Sequence, residues 1–136
     1  MSQYKGECLC GSCRYIITGE KPEVMYLCHC SRCRKETGTI HGANAFFNNA
    51  QLLWEKGQGN ITHFKLKGTR KQRAFCNTCG SPLPRLEGDS HVVLPVGTVD
   101  DDTFLEPTAH IYCASRSSWE DKVNDLKRFD ALPKMD

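Results

Sequence analysis

Apolar positions in this chain fall in short runs, broken every few residues by Gly, Pro, Asn and Asp. Runs of strand length occupy residues 13–18, 25–28, 43–47, 52–55, 61–67, 70–76, 91–96 and 109–113. Short runs with turn residues at close intervals predict an all-β fold. The cleanest hairpin joins 61–67 to 70–76 across Gly68-Thr69, where glycine supplies the positive φ of a tight turn. Two helical stretches interrupt the strands. Ser31 caps one that runs through Thr37 and stops at Gly38, and Ser117 or Ser118 starts another that reaches Leu126. With no internal linker, charge block or low-complexity segment, residues 1–136 are expected to form a single domain.

Composition narrows the class more than the function. At 136 residues, with 39% hydrophobic and 25% charged, the chain has enough apolar material for one core and too much for disorder. A formal charge of +2 names no partner, though it permits attraction to small anions. No apolar run approaches the roughly 20 residues of a membrane span, so no membrane partner is expected. Met-Ser-Gln-Tyr-Lys-Gly at the start lacks the apolar stretch of a signal peptide. A reducing cytoplasm is therefore the expected setting, where thiols serve metals better than disulfides.

Seven of the nine cysteines stand in three tight clusters: Cys8-x-Cys10, Cys28-x-Cys30-x-x-Cys33 and Cys76-x-x-Cys79. Such spacing is how a chain holds zinc. A structural zinc is closed by four protein ligands, whereas a catalytic zinc keeps three and leaves one position open. Four and three make seven, so two zinc ions are expected. Cys8-x-Cys10-Gly11 and Cys76-x-x-Cys79-Gly80 look like two halves of one closed site. A glycine after the second ligand lets the backbone curl and aim N–H groups at the thiolates. On a strand, residues i and i+2 share a face, so Cys8 and Cys10, like Cys28 and Cys30, would aim at one point while His29 turned away.

Cys28, Cys30 and Cys33 then form the second site, and spacing leaves two possibilities for it. Its fourth position is open, or a distant Cys13, Cys113, His41, His91 or His110 closes it. Charge indicates what an open site could do. Zinc with three thiolates carries −1, a poor activator of water but a good partner for a further sulfur. A coordinating thiol is deprotonated outright, so a substrate thiol would bind as thiolate. Arg32, Arg34 and Lys35 flank the cluster and could offset the added charge.

With these residues the chain resembles the family of glutathione-dependent formaldehyde-activating enzymes, which also includes the animal centromere protein V. The resemblance runs through Gly6-Glu7-Cys8-Leu9-Cys10-Gly11 and Cys28-His29-Cys30-Ser31-Arg32-Cys33-Arg34-Lys35 with Thr37-Gly38. It continues in Arg73-Ala74-Phe75-Cys76-Asn77-Thr78-Cys79-Gly80-Ser81, in Gly97-Thr98-Val99-Asp100-Asp101, and in His110-Ile111 with Ser118-Trp119. The resemblance implies a sheet-on-sheet arrangement called a β-tent. It implies that Cys8, Cys10, Cys76 and Cys79 hold a structural zinc, and that Cys28, Cys30 and Cys33 hold a catalytic one. It also implies a carbon–sulfur lyase that joins glutathione and formaldehyde as S-hydroxymethylglutathione, or splits that adduct. The competing expectation is a zinc-stapled binding module with both zincs structural, recognising a protein or an anionic polymer.

Other features are weaker. Five cations between Lys65 and Arg73 suggest nucleic acid, but the near-neutral balance and the lack of interleaved exposed aromatics disfavour it. A solvated hairpin tip is the plainer expectation, and general attraction of glutathione carboxylates lies between the two. Asp100-Asp101-Asp102 lacks the alternation of a calcium loop and fits a turn. His91 and His110 read as partly buried, satisfied histidines; Trp54, Trp119, Phe46, Phe47 and Phe75 read as core. Cys13 and Cys113 lie outside the seven, and a buried inert thiol is the usual fate of such a residue.

Overall fold

The structure is a computed structural model that describes residues 1–134. Its elements follow the expected punctuation: β1 (Ser2–Glu7), β2 (Arg14–Gly19), β3 (Val24–Cys28), α1 (Ser31–Thr37), β4 (Gly42–Phe47) and β5 (Gln51–Lys56). There follow β6 (Ile61–Lys65), β7 (Gln72–Cys76), β8 (Pro82–Leu83), β9 (Arg85–Glu87), β10 (His91–Pro95) and β11 (Ala109–Ile111). The fold is all-β, in three sheets ordered β1-β2-β5, β11-β3-β4-β10-β9 and β6-β7-β8. No helix among the described residues is long and apolar enough to cross a membrane.

All three sheets contribute to one core. Tyr15 and Ile17 enter it from the first, Phe47 and Leu94 from the second, and Leu83 and Cys76 from the third, each almost fully buried. Alternation explains the arrangement: β2 buries every second residue and turns the others outward. β1 obeys the same rule but was not expected. Its inward positions are Tyr4 and Gly6, too few apolar residues to make a run, although both are buried. Gly6 must be small, because a Cβ there would collide with the Tyr15 hydroxyl and the Thr98 carbonyl.

Three expectations change in detail. The hairpin keeps the register expected for a Gly68-Thr69 tip, with Lys65 opposite Gln72, but strand pairing ends earlier and leaves a longer loop. The stretch leading to Leu126 is not an α-helix but a 3-10 turn over Glu120–Asp125, its N–H groups bonding three residues back. Trp119, expected in the core, is 52% exposed, because that turn lies on the surface and only its outer face is apolar.

Candidate metal centre

Cys8, Cys10, Cys76 and Cys79 come together with all four sulfurs within 4.8 Å of one another. The Cys8–Cys10 and Cys10–Cys76 separations are 3.7 and 3.9 Å. A tetrahedral zinc with 2.3 Å bonds requires sulfurs about 3.8 Å apart, so this donor set fits the ion. Tight turns deliver the ligands, which corrects the expected strand geometry. β1 ends at Glu7, and Cys8 to Gly11 form a turn closed by the Gly11 N–H on the Cys8 carbonyl at 3.1 Å. Across the core the Gly80 N–H bonds the Cys76 carbonyl at 2.8 Å. Gly11 and Gly80 both adopt the left-handed conformation such turns need.

Donors surround these sulfurs. The Cys13 N–H lies 3.3 Å from Cys8 Sγ, the Thr78 N–H 3.4 Å from Cys76 Sγ, and the Ser12 hydroxyl 3.2 Å from the same sulfur. The Ser12 bond above all pulls Cys76 down to about 5, and the Ser81 hydroxyl pulls Cys79 down to about 7. Both thiols are thereby set up as ligands. Gly57 backs this centre: with φ +78°, it presses so close to Ser12 that a Cβ would meet the Ser12 carbonyl. Cys13 sits in the same wall, fully buried, its thiol facing the Gly57 carbonyl at 3.5 Å and pushed up to about 11 by burial.

Cys28, Cys30 and Cys33 form the second group, again within 4.8 Å of one another. Here too the strand expectation is corrected. β3 ends at Cys28, and Cys30, not Ser31, is the N-cap of α1, its sulfur accepting the Cys33 N–H at 3.3 Å. Burial works against the Cys30 thiolate, but this N–H and the Cys33 thiol outweigh it and lower the Cys30 pKa. Burial pushes Cys33 up to about 12. Three sulfurs fit one zinc with a fourth position remaining. Cys113 and Cys13 do not join the group, and neither do His41, His91 or His110.

The nearest cation is one the sequence did not single out for this place. Lys71 donates to Cys33 Sγ at 3.4 Å while pairing with Glu36 of α1. Burial works to lower its pKa, but the Glu36 hydrogen bond and charge prevail and raise it. Arg73, in the same basic run, donates to the carbonyls of Glu36 at 2.6 Å and Gly80 at 3.1 Å. The run is thus more than a solvated tip: Lys65, Lys67 and Arg70 are exposed, but Lys71 and Arg73 lock the hairpin onto α1. Arg34 is also structural, donating to the carbonyls of His29 at 3.3 Å and Ser115 at 3.1 Å. Arg32 and Lys35 remain exposed.

His29, 1% exposed, turns to a polar chain of its own. Its Nε2 lies 2.8 Å from His110 Nδ1, and its Nδ1 lies 2.5 Å from Glu120 Oε1. Burial lowers its pKa despite the Glu120 charge. The parallel pairing of β11 with β3 makes this possible by setting Ile111 opposite Cys28. His110 itself is exposed and, with His41, Cys113 and Arg116, lines a cavity of about 510 Å³. His91 is exposed as well and bonds Asn48 Oδ1 at 2.7 Å. Asp100 pairs with Arg14 at 2.6 Å and Asp101 accepts from Thr103, the turn arrangement expected for the acidic run.

The family described as glutathione-dependent formaldehyde-activating enzyme matches residues 3–115. The chain is also similar to a solved protein of Rhodobacter sphaeroides, with a TM-score of 0.54 and 23% identity over 78% of this chain and 98% of that one. At that identity the likeness bears on the fold. No curated protein matches.

Proposed function

The chain belongs to the glutathione-dependent formaldehyde-activating enzyme family, and from that premise we propose that it is a zinc-dependent carbon–sulfur lyase. It forms or splits the adduct of a small aldehyde and a thiol, S-hydroxymethylglutathione before others. The observation that carries this is the inequality of the two sulfur groups, four in one and three in the other. The same reading assigns Cys8, Cys10, Cys76 and Cys79 to a structural zinc, Cys28, Cys30 and Cys33 to the catalytic one, and a reducing cytoplasm to the protein.

Held by Cys28, Cys30 and Cys33, zinc would supply a soft acceptor that keeps a substrate thiol deprotonated at neutral pH. The protein's own groups deal with the charge. The Cys33 N–H bonds the Cys30 sulfur and Lys71 bonds the Cys33 sulfur, so both spread negative charge before a further thiolate arrives. In the joining direction a bond forms between the thiol sulfur and the aldehyde carbon, and the carbonyl oxygen takes up the proton the thiol gave. In the splitting direction the carbon–sulfur bond breaks and the hydroxyl proton returns to sulfur.

The test is the rate at which formaldehyde and glutathione equilibrate with the adduct, followed by NMR exchange. Zinc-loaded protein is expected to accelerate exchange well beyond the spontaneous rate, and Cys30→Ser to abolish the gain while remaining folded. No acceleration by folded, zinc-loaded protein would overturn the proposal.

A further inference from the structure

A cleft of about 280 Å³ opens between α1 and the β6–β7 hairpin, lined by Arg32, Lys35 and Glu36 on one side and by Phe64, Leu66, Lys71 and Arg73 on the other. Four cations face one carboxylate across it. Lys71 is paired with Glu36, and Arg73 is held by two backbone carbonyls. Among the described residues, Arg32 and Lys35 have no ion pair, so the surplus charge of the cleft is theirs.

Its wall is also apolar where a surface hairpin is usually polar. Phe64 and Leu66, two residues apart and so on one face of the strand, are 53% and 37% exposed. The inner end lies at the second sulfur group, because Lys71 lines the cleft and donates to Cys33 Sγ. Arg32 and Lys35 stand one residue before and two residues after Cys33, within the same turn of α1. A ligand with sulfur at one end, an aliphatic stem and an anionic group at the other matches this order of surfaces.

We propose that this cleft is the specificity subsite for the carboxylate-bearing part of the thiol substrate. Arg32 and Lys35 hold a carboxylate, Phe64 and Leu66 cover the stem, and the thiol reaches Cys28, Cys30 and Cys33 past Lys71. This rests on the proposed thiol chemistry at the second centre and adds to it the class of thiol selected, an anionic one. Arg32 offers a planar fork suited to a carboxylate, and Lys35 adds a point charge beside it.

Full-length protein loaded with cobalt allows binding to be read from thiolate-to-cobalt absorption, independently of turnover. Glutathione and neutral 2-mercaptoethanol are titrated into the unaltered chain and into Arg32→Gln/Lys35→Gln. Both substituted residues are exposed, so circular dichroism should be unchanged. The expected result is a rise of about tenfold in the Kd for glutathione, with that for 2-mercaptoethanol unmoved. Added salt should weaken glutathione binding to the unaltered chain more than binding to the variant. If both thiols shift the spectrum and the substitutions change neither Kd, or change both equally, the subsite is overturned alone. Silence from both thiols in the unaltered chain would overturn the thiol chemistry and the subsite with it.

Discussion

The two sulfur groups use the same ligand chemistry in opposite surroundings. Cys8, Cys10, Cys76 and Cys79 are brought together by two tight turns from distant parts of the chain, and hydroxyls and N–H groups already favour thiolates there. Cys28, Cys30 and Cys33 come from one stretch of six residues, the buried Cys33 thiol favours its proton, and a half-buried lysine stands against it. A site that joins residues 66 positions apart holds sheets together. A site made within one strand-to-helix corner holds little that is not already held, which leaves its chemistry free for a ligand.

Mutation should separate the two most sharply. Cys76→Ser is expected to leave the chain unfolded or aggregated. Zinc binding contributes about 10–16 kcal/mol in small zinc domains, comparable to or larger than the roughly 5–15 kcal/mol of a whole domain's stability. Cys30→Ser and Cys33→Ser should keep native circular dichroism and melt within several degrees of the parent. Equal collapse of all three variants would erase the distinction between the centres.

Gly57→Ala probes the same contrast without touching a ligand. The added Cβ meets the Ser12 backbone in a left-handed conformation, so a loss of roughly 1–3 kcal/mol is expected in denaturant unfolding, with weakened retention of the closed-site metal. A glycine in the second group's neighbourhood predicts less: Gly38, left-handed but open around its Cα, should tolerate Asn with little loss. If Gly57→Ala is as mild as Gly38→Asn, the tight packing behind the closed centre does not matter to it.

A smaller effect concerns the two cysteines outside both groups. Exposed Cys113 should react with iodoacetamide in the folded protein at neutral pH, whereas Cys13, fully buried with its pKa up at about 11, should stay unmodified. Peptide mass analysis of the labelled chain checks this. Labelling at Cys13 before unfolding would show that the wall behind the closed centre opens.

Much of this was legible in the chain because ligand spacing and turn residues are local signals. The three cysteine clusters, the helix ended by Gly38 and the register of the 61–76 hairpin all follow from neighbours in sequence. β1 was not legible, since its buried positions are a tyrosine and a glycine. The strand geometry first assigned to Cys8-x-Cys10 and Cys28-x-Cys30 was wrong because alternation says nothing about where a strand stops. Lys71 at Cys33 and His110 at His29 depend on contacts 38 and 81 residues apart, and no periodicity reports those. The basic run looked like a solvated tip for the same reason: charge can be counted along a chain, but its partners cannot.

Cobalt in place of zinc tests most directly whether one centre is open and the other closed. Glutathione added to the cobalt-loaded protein should strengthen thiolate-to-metal absorption, and S-methylglutathione, which has no ionisable thiol, should not. Binding should tighten as pH rises toward the free thiol's pKa of about 8.5, because the proton must leave for the sulfur to bind. Cys113→Ala should respond as the unaltered chain does, since Cys113 stands outside the three-sulfur group. A spectrum indifferent to glutathione in the unaltered protein, and responsive only after Cys113→Ala, would show the second centre to be closed by the chain itself and would contradict the difference drawn between the two.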